Sequence, residues 1–148
     1  MLKPLILINA TCLALATAAT AQQAIPCDWV ARADTIVEPW EQNTRLFANG
    51  DVRLALLDTI EPAAGGLHIL ILSPPYSEMG DRQCMTLGMT EGVGFSDVDF
   101  NSLEAGYDPS VGLIFDMDVR FFNGNDFHPG RLRFTLNQAT GGITSKLR

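Results

Sequence analysis

Leu113-Ile114-Phe115-Asp116-Met117-Asp118-Val119-Arg120-Phe121-Phe122 decides the fold class. Leu113, Phe115, Met117, Val119 and Phe121 alternate with Asp116, Asp118 and Arg120. A period of two marks a strand with one face in a core and the other in water, whereas a helix repeats every 3.6 residues.

The same pattern recurs on both sides. Downstream, a loop from Asn123 to Gly130 leads to a strand with Leu132, Phe134 and Leu136 inward and Arg131, Arg133 and Thr135 outward. Ala139-Thr140-Gly141-Gly142 then turns the chain into Ile143 to Leu147. Upstream, Asp108-Pro109-Ser110-Val111-Gly112 closes a hairpin onto Leu103 to Tyr107, preceded by segments from Val93 to Phe100 and from Cys84 to Met89. Leu67-His68-Ile69-Leu70-Ile71-Leu72 is apolar on both faces and reads as a central strand buried from two sides, stopped by Ser73-Pro74-Pro75. Thr44 to Ala48 and Val52 to Ile60 flank Asn49-Gly50, the pair that most readily takes the two positive φ angles of a tight hairpin. The expected fold is mainly all-β: an antiparallel meander of about eight strands closing as a sandwich or a barrel.

A short N-terminal helix is expected over Asp28–Val37. Asp28 can cap it, Trp29, Ala33, Ile36 and Val37 recur at helical spacing, and Pro39 ends it. Thr35-Ile36-Val37 would also serve as an edge strand. Trp29 and Trp40 read as anchors holding this segment on the sheet.

The first 21 residues carry the order of a secretory signal: Lys3, an apolar stretch from Leu5 to Ala16, then Ala19-Thr20-Ala21 before Gln22. The stretch is short and polar for a spanning helix, so no stable membrane span is expected after processing. Removing residues 1–21 from the 148 leaves 127, a single β-rich domain over 22–148 in the periplasm or the medium. Losing only Lys3 among the charged residues takes the net charge from −7 to −8. That charge speaks against nucleic acid, which calls for clustered Lys and Arg. Cys12 leaves with the signal, so Cys27 and Cys84 remain as an expected disulfide.

Chemistry-bearing residues are few. Asp97 with Asp99 and Asp116 with Asp118 are Asp-x-Asp pairs on strands, so each pair faces one side. On neighbouring strands they could converge on a metal such as Ca²⁺; the simpler reading is a solvated face. His128 follows Asp126, which could orient it as a base, but no serine or thiol nucleophile accompanies it. G-x-S-x-G, H-E-x-x-H, phosphate-loop and Cys-x-x-Cys signatures are all missing. Tyr76, Met79, Phe95, Tyr107 and Phe127 fall in or near loops, and Tyr76, Tyr107, Phe127 and His128 are the binding candidates. His68, which opens the most apolar strand, reads as a packed or edge residue. The expectation is a non-catalytic binding or interaction module of the bacterial envelope, without a cofactor, for an unidentified protein or small ligand. The alternatives are a small exported hydrolase using the strand carboxylates, and an inhibitor or structural protein.

Overall fold

The computed structural model describes residues 22–148, so the expected signal over residues 1–21 lies outside the described residues. The strands are β1 (Ile25–Pro26), β2 (Thr44–Phe47), β3 (Val52–Asp58), β4 (Leu67–Tyr76), β5 (Arg82–Leu87), β6 (Asp97–Asp108), β7 (Gly112–Phe122), β8 (Phe127–Leu136) and β9 (Ile143–Leu147). They form two antiparallel sheets, ordered β1-β5-β4-β3-β2 and β6-β7-β8-β9.

The two sheets share one core, and the fold is a sandwich. Val52, Leu54, Leu56, Ile69, Ile71 and Leu87 of the first sheet meet Val98, Phe100, Phe115, Met117, Val119, Leu132, Phe134 and Leu136 of the second. At its centre the Phe115 ring stacks on Phe134 and meets Phe47 edge-on, both at 4.9 Å between centroids. These are the arrangements that the ring quadrupole favours.

Strand β4 is buried on both sides, as its double apolar face requires. Ile69 and Ile71 enter the core between the sheets, while Leu70 joins Val30, Ala55 and Leu57 in a second cluster on the outer face. The cover over that face is not a helix. Residues 27–37 run as a strap with a turn at Trp29–Val30 and a 3₁₀ turn at Ala33–Thr35. Its two ends bond to the sheet, Cys27 N–H to Cys84 O at 3.1 Å, Val37 N–H to Leu56 O at 3.0 Å and a bridge between Ile36 and Leu57, while Ala31, Arg32, Thr35 and Ile36 N–H close short local turns between them. The Cys27–Cys84 disulfide pins its start, with the Cα atoms 5.4 Å apart. Sheet partners for its two ends outweigh local helical bonds, whose nucleation is costly in so short a segment. The strap's anchor is Val30, fully buried and worth about 1.5–3 kcal/mol. Trp29 and Trp40 are not anchors, being 56% and 52% exposed.

Three boundaries differ from the sequence expectation. Strand β4 continues through Pro74-Pro75 to Tyr76, because both prolines fall in a register shift between Ser73 and Tyr76 where no ladder donor is needed. Strand β8 starts at Phe127, before Pro129. Proline is tolerated there because β9 pairs with β8 only from Leu132 onward, extended by the Arg131–Arg148 bonds. The β2–β3 connection is broader than a two-residue turn, with positive φ at Ala48, Asn49 and Gly50 in succession.

The two expected segments around Phe100 and Leu103 are one strand, β6, interrupted by a bulge. Asp99 stands opposite Asp118 and Glu104 opposite Asp116, so extra residues of β6 are squeezed between the two rows. The Ser102 hydroxyl mends the gap, donating to Asp99 O at 2.7 Å and accepting from Asp118 N–H at 2.8 Å.

The chain crosses between sheets just before β6. Leu67 and Phe95 exchange backbone bonds of 3.0 and 2.6 Å, and a side chain on Gly94 would overlap the Leu67 carbonyl. His68 is packed against Gly88 and Gly94 and is 2% exposed. Its Nδ1 lies 3.1 Å from Gly66 O, and its Nε2 has no partner among the described residues.

Candidate functional site

The outer face of the second sheet carries most of the candidates, and its chemistry follows from register. Asp97 stands opposite Arg120, and Arg120 opposite Pro129. The next row is Asp99, Asp118 and Arg131; beyond the bulge come Glu104, Asp116, Arg133 and Lys146. The four aspartates therefore do lie on adjacent strands and one face. Asp116 and Asp118, however, are bound to the arginines of β8.

Arg133 grips Asp116 with two bonds, Nε to Oδ1 and Nη2 to Oδ2, both 2.8 Å. The Asp116 side chain is only 15% exposed, and these bonds hold its carboxyl below the usual carboxylate range. Arg131 forks between Asp118 at 2.8 Å and Glu104 at 2.7 Å. The guanidinium pKa values of Arg131 and Arg133 are raised in return by the carboxylates they bind. Among the described residues, no group of three or more His, Cys, Asp or Glu side chains is arranged to hold a metal ion.

Asp97 and Asp99 are not paired in this way. They border a shallow depression of about 450 Å³, also lined by Asp118, Val119, Arg120, Pro129 and Gly130. Among the described residues neither Asp97 nor Arg120 is held in an ion pair. A second depression, of about 270 Å³, shares Asp97 and Arg120 and extends the first across Ser96 to Ala63 and Phe127. Phe127 is half-exposed and tilts on Phe122 with ring centroids 5.1 Å apart. The result is an open trough with acidic groups and one free guanidinium along its length, Pro129 beside Arg120 in its first part and Phe127 in its second.

No protein family, curated protein or solved structure matches this chain.

The remaining candidates separate. His128 is exposed beside Phe127, and its Nε2 lies 2.8 Å from Asn123 Nδ2; Asp126 instead accepts from Asn125. The orienting group is thus an amide, and an amide cannot take up the proton of an imidazolium. Tyr76 ends β4, Met79 lies in the β4–β5 connection, and Tyr107 is near the end of β6. That is the opposite end of the sandwich from Phe127: Gln83, early in β5, donates to Gly141 O of the β8–β9 turn at 2.9 Å. Tyr76 is tied down there, donating to Asp51 Oδ1 at 2.9 Å. Phe95 is fully buried at the crossover and is part of no exposed patch.

Arg120, Pro129 and Ala63 were not singled out in the sequence. Arg120 was visible as an outward residue of the alternating strand, but a polar outward residue is ordinary. Pro129 was masked by its place in an expected loop, and nothing local marks Ala63 as the trough's neighbour.

Proposed function

We propose that this chain is exported and acts as a non-catalytic binding module of the bacterial envelope, taking its partner in the trough around Asp97 and Arg120. The supporting observation is that open, joined depression, where unpaired ionic groups adjoin exposed Pro129 and Phe127. Binding surfaces combine a few oriented polar groups with accessible apolar area. Acids outnumber bases along the trough, so the partner, a protein segment or a small ligand, presents positive charge next to an apolar group. The disulfide suits an oxidising compartment. No helix among the described residues is long and apolar enough to cross a membrane.

The test is affinity capture from envelope extract with three baits: the natural chain, Asp97→Lys and Phe127→Ser. A ligand held by the first and lost by both variants supports the reading. An identical set on all three overturns it.

One observation favours a second reading, a hydrolase: Asp99 and Asp118 face each other across β6 and β7 within the same depression. Hydrolysis by a carboxyl pair needs one partner kept protonated by burial or by like charge. Here both are exposed and Asp118 is neutralised by Arg131, which weighs towards binding. Hydrolysis of a glycosidic substrate, abolished by both Asp99→Asn and Asp118→Asn, would establish the hydrolase instead.

A further inference from the structure

The second sheet has two free edges of opposite charge. Among the described residues no backbone group of β6 bonds outward from the sheet, and none of β9 does, the contact of β9 with the N-terminal segment being made by the Ser145 hydroxyl, which donates to Gln22 O. Reading across the sheet, one row is Asp99, Asp118, Arg131, and the next is Glu104, Asp116, Arg133, Lys146. Acid therefore gives way to base from the β6 edge to the β9 edge.

Beyond the bulge, the free edge from Glu104 to Asp108 is regular and exposed along its length. It is as long as β9, and the rows align one to one. Glu104 is level with Lys146, Ala105 with Ser145, Gly106 with Thr144 and Tyr107 with Ile143. Strand polarity agrees as well. Each neighbour in the sheet is antiparallel, so β6 and β8 run one way and β7 and β9 the other. Placing β9 of one copy beside β6 of another, without turning either over, continues the antiparallel ladder.

We propose that the occupant of this edge is a second copy of the same chain, added head to tail so that β9 of one copy pairs with Glu104–Asp108 of the next. Lys146 then meets Glu104 on the outer face. On the inner face Ile143 covers Tyr107, which is 67% exposed in the single chain. Backbone bonds supply the affinity and the side chains the register. Pairing two β6 edges would set acid against acid, and pairing two β9 edges base against base, so the charges select the mixed edge. A contact between two different edges leaves one of each free at the ends, and the array grows by single copies.

Sedimentation velocity of the purified exported chain tests this. Average mass should rise with concentration without settling at one stoichiometry, and less so in high salt. Glu104→Lys alone and Lys146→Glu alone should each need about tenfold higher concentration to associate. An equimolar mixture of those two variants should assemble at the natural concentration, because every junction between unlike copies again joins opposite charges. Loss of folding could not be rescued in this way, and Tyr107→Lys, three rows along the same edge, gives an independent variant that should weaken association. A monomer at all concentrations, a closed dimer of constant mass, or a mixture no better than its components would overturn the proposal.

Discussion

Replacing both Cys27 and Cys84 with alanine should cost this domain about 4 kcal/mol. The bond spans a separation of 57 residues, for which the chain-entropy relation gives that figure at room temperature. An unfolding entropy of about 2.1 cal/mol/K per residue over residues 22–148 converts it into a fall in melting temperature of about 15 °C. Domains of this kind hold roughly 5–15 kcal/mol in all, so the variant sits close to its unfolding threshold. The native strap should nonetheless survive. Val30 stays buried, Thr35 Oγ1 still donates to Val30 O at 2.7 Å, and Val37 N–H still bonds Leu56 O. Removal of the bond acts instead on the unfolded chain, which becomes free to expand and to expose more surface. Urea unfolding followed by circular dichroism should therefore show both the lost stability and a steeper denaturant dependence. Amide exchange at Val37 in the folded variant separates the two ways the bond could work. A loss below about 1 kcal/mol, or a Val37 amide that exchanges as in an open chain while the sheets stay protected, would refute this reasoning.

Burial holds His68 below its ordinary value of 6.5, opposed by Gly66 O and by the charges of Asp28 and Asp58. The unfolded chain therefore binds the extra proton first, and stability, full above pH 6.5, falls as pH drops below it; His68→Gln should remove that part of the decline in urea unfolding at pH 7.5 and 5.5. Asp116→Asn should cost about 1 kcal/mol, because it breaks a two-bond grip on a side chain only 15% exposed. The exposed Asp118→Asn should stay within about 0.5 kcal/mol, and equal losses for the two would show that register, not burial, sets the strength of these pairs.

The strands were legible wherever a local period betrayed a face, while the choice of sandwich over barrel rests on how they divide into two sheets. The alternation from Leu113 to Phe121 and the double apolar face of Leu67–Leu72 read correctly because inward and outward are decided residue by residue. The strap read as a helix because Trp29, Ala33, Ile36 and Val37 have helical spacing, whereas its fold is governed by bonds to Leu56, Leu57 and Cys84, distant in sequence. Its alternative reading as an edge strand came nearer, for Ile36 does bridge to β3. The shared face of Asp116 and Asp118 was equally readable. Their capture by Arg133 and Arg131 was not, since it depends on how β7 and β8 are aligned. The trough lay further out of reach, joining residues as far apart as Ala63, Asp97 and Phe127.

The bulge at Phe100–Leu103 also changes what a deletion or insertion does to this protein. Asp99 and Glu104 are an odd number of steps apart yet share a face, and an unbroken strand would have turned Glu104 and Gly106 inward and Tyr107 outward. The excursion works as a phase shifter between two stretches of strand with opposite alternation. A residue lost or gained at Asn101 changes the slack in the excursion and leaves both stretches facing as before. The same event at Val119, in the middle of the sheet, would exchange core for surface from there to the hairpin tip. Length variation in this edge is thereby confined to one short segment, spliced to its neighbour by the Ser102 hydroxyl.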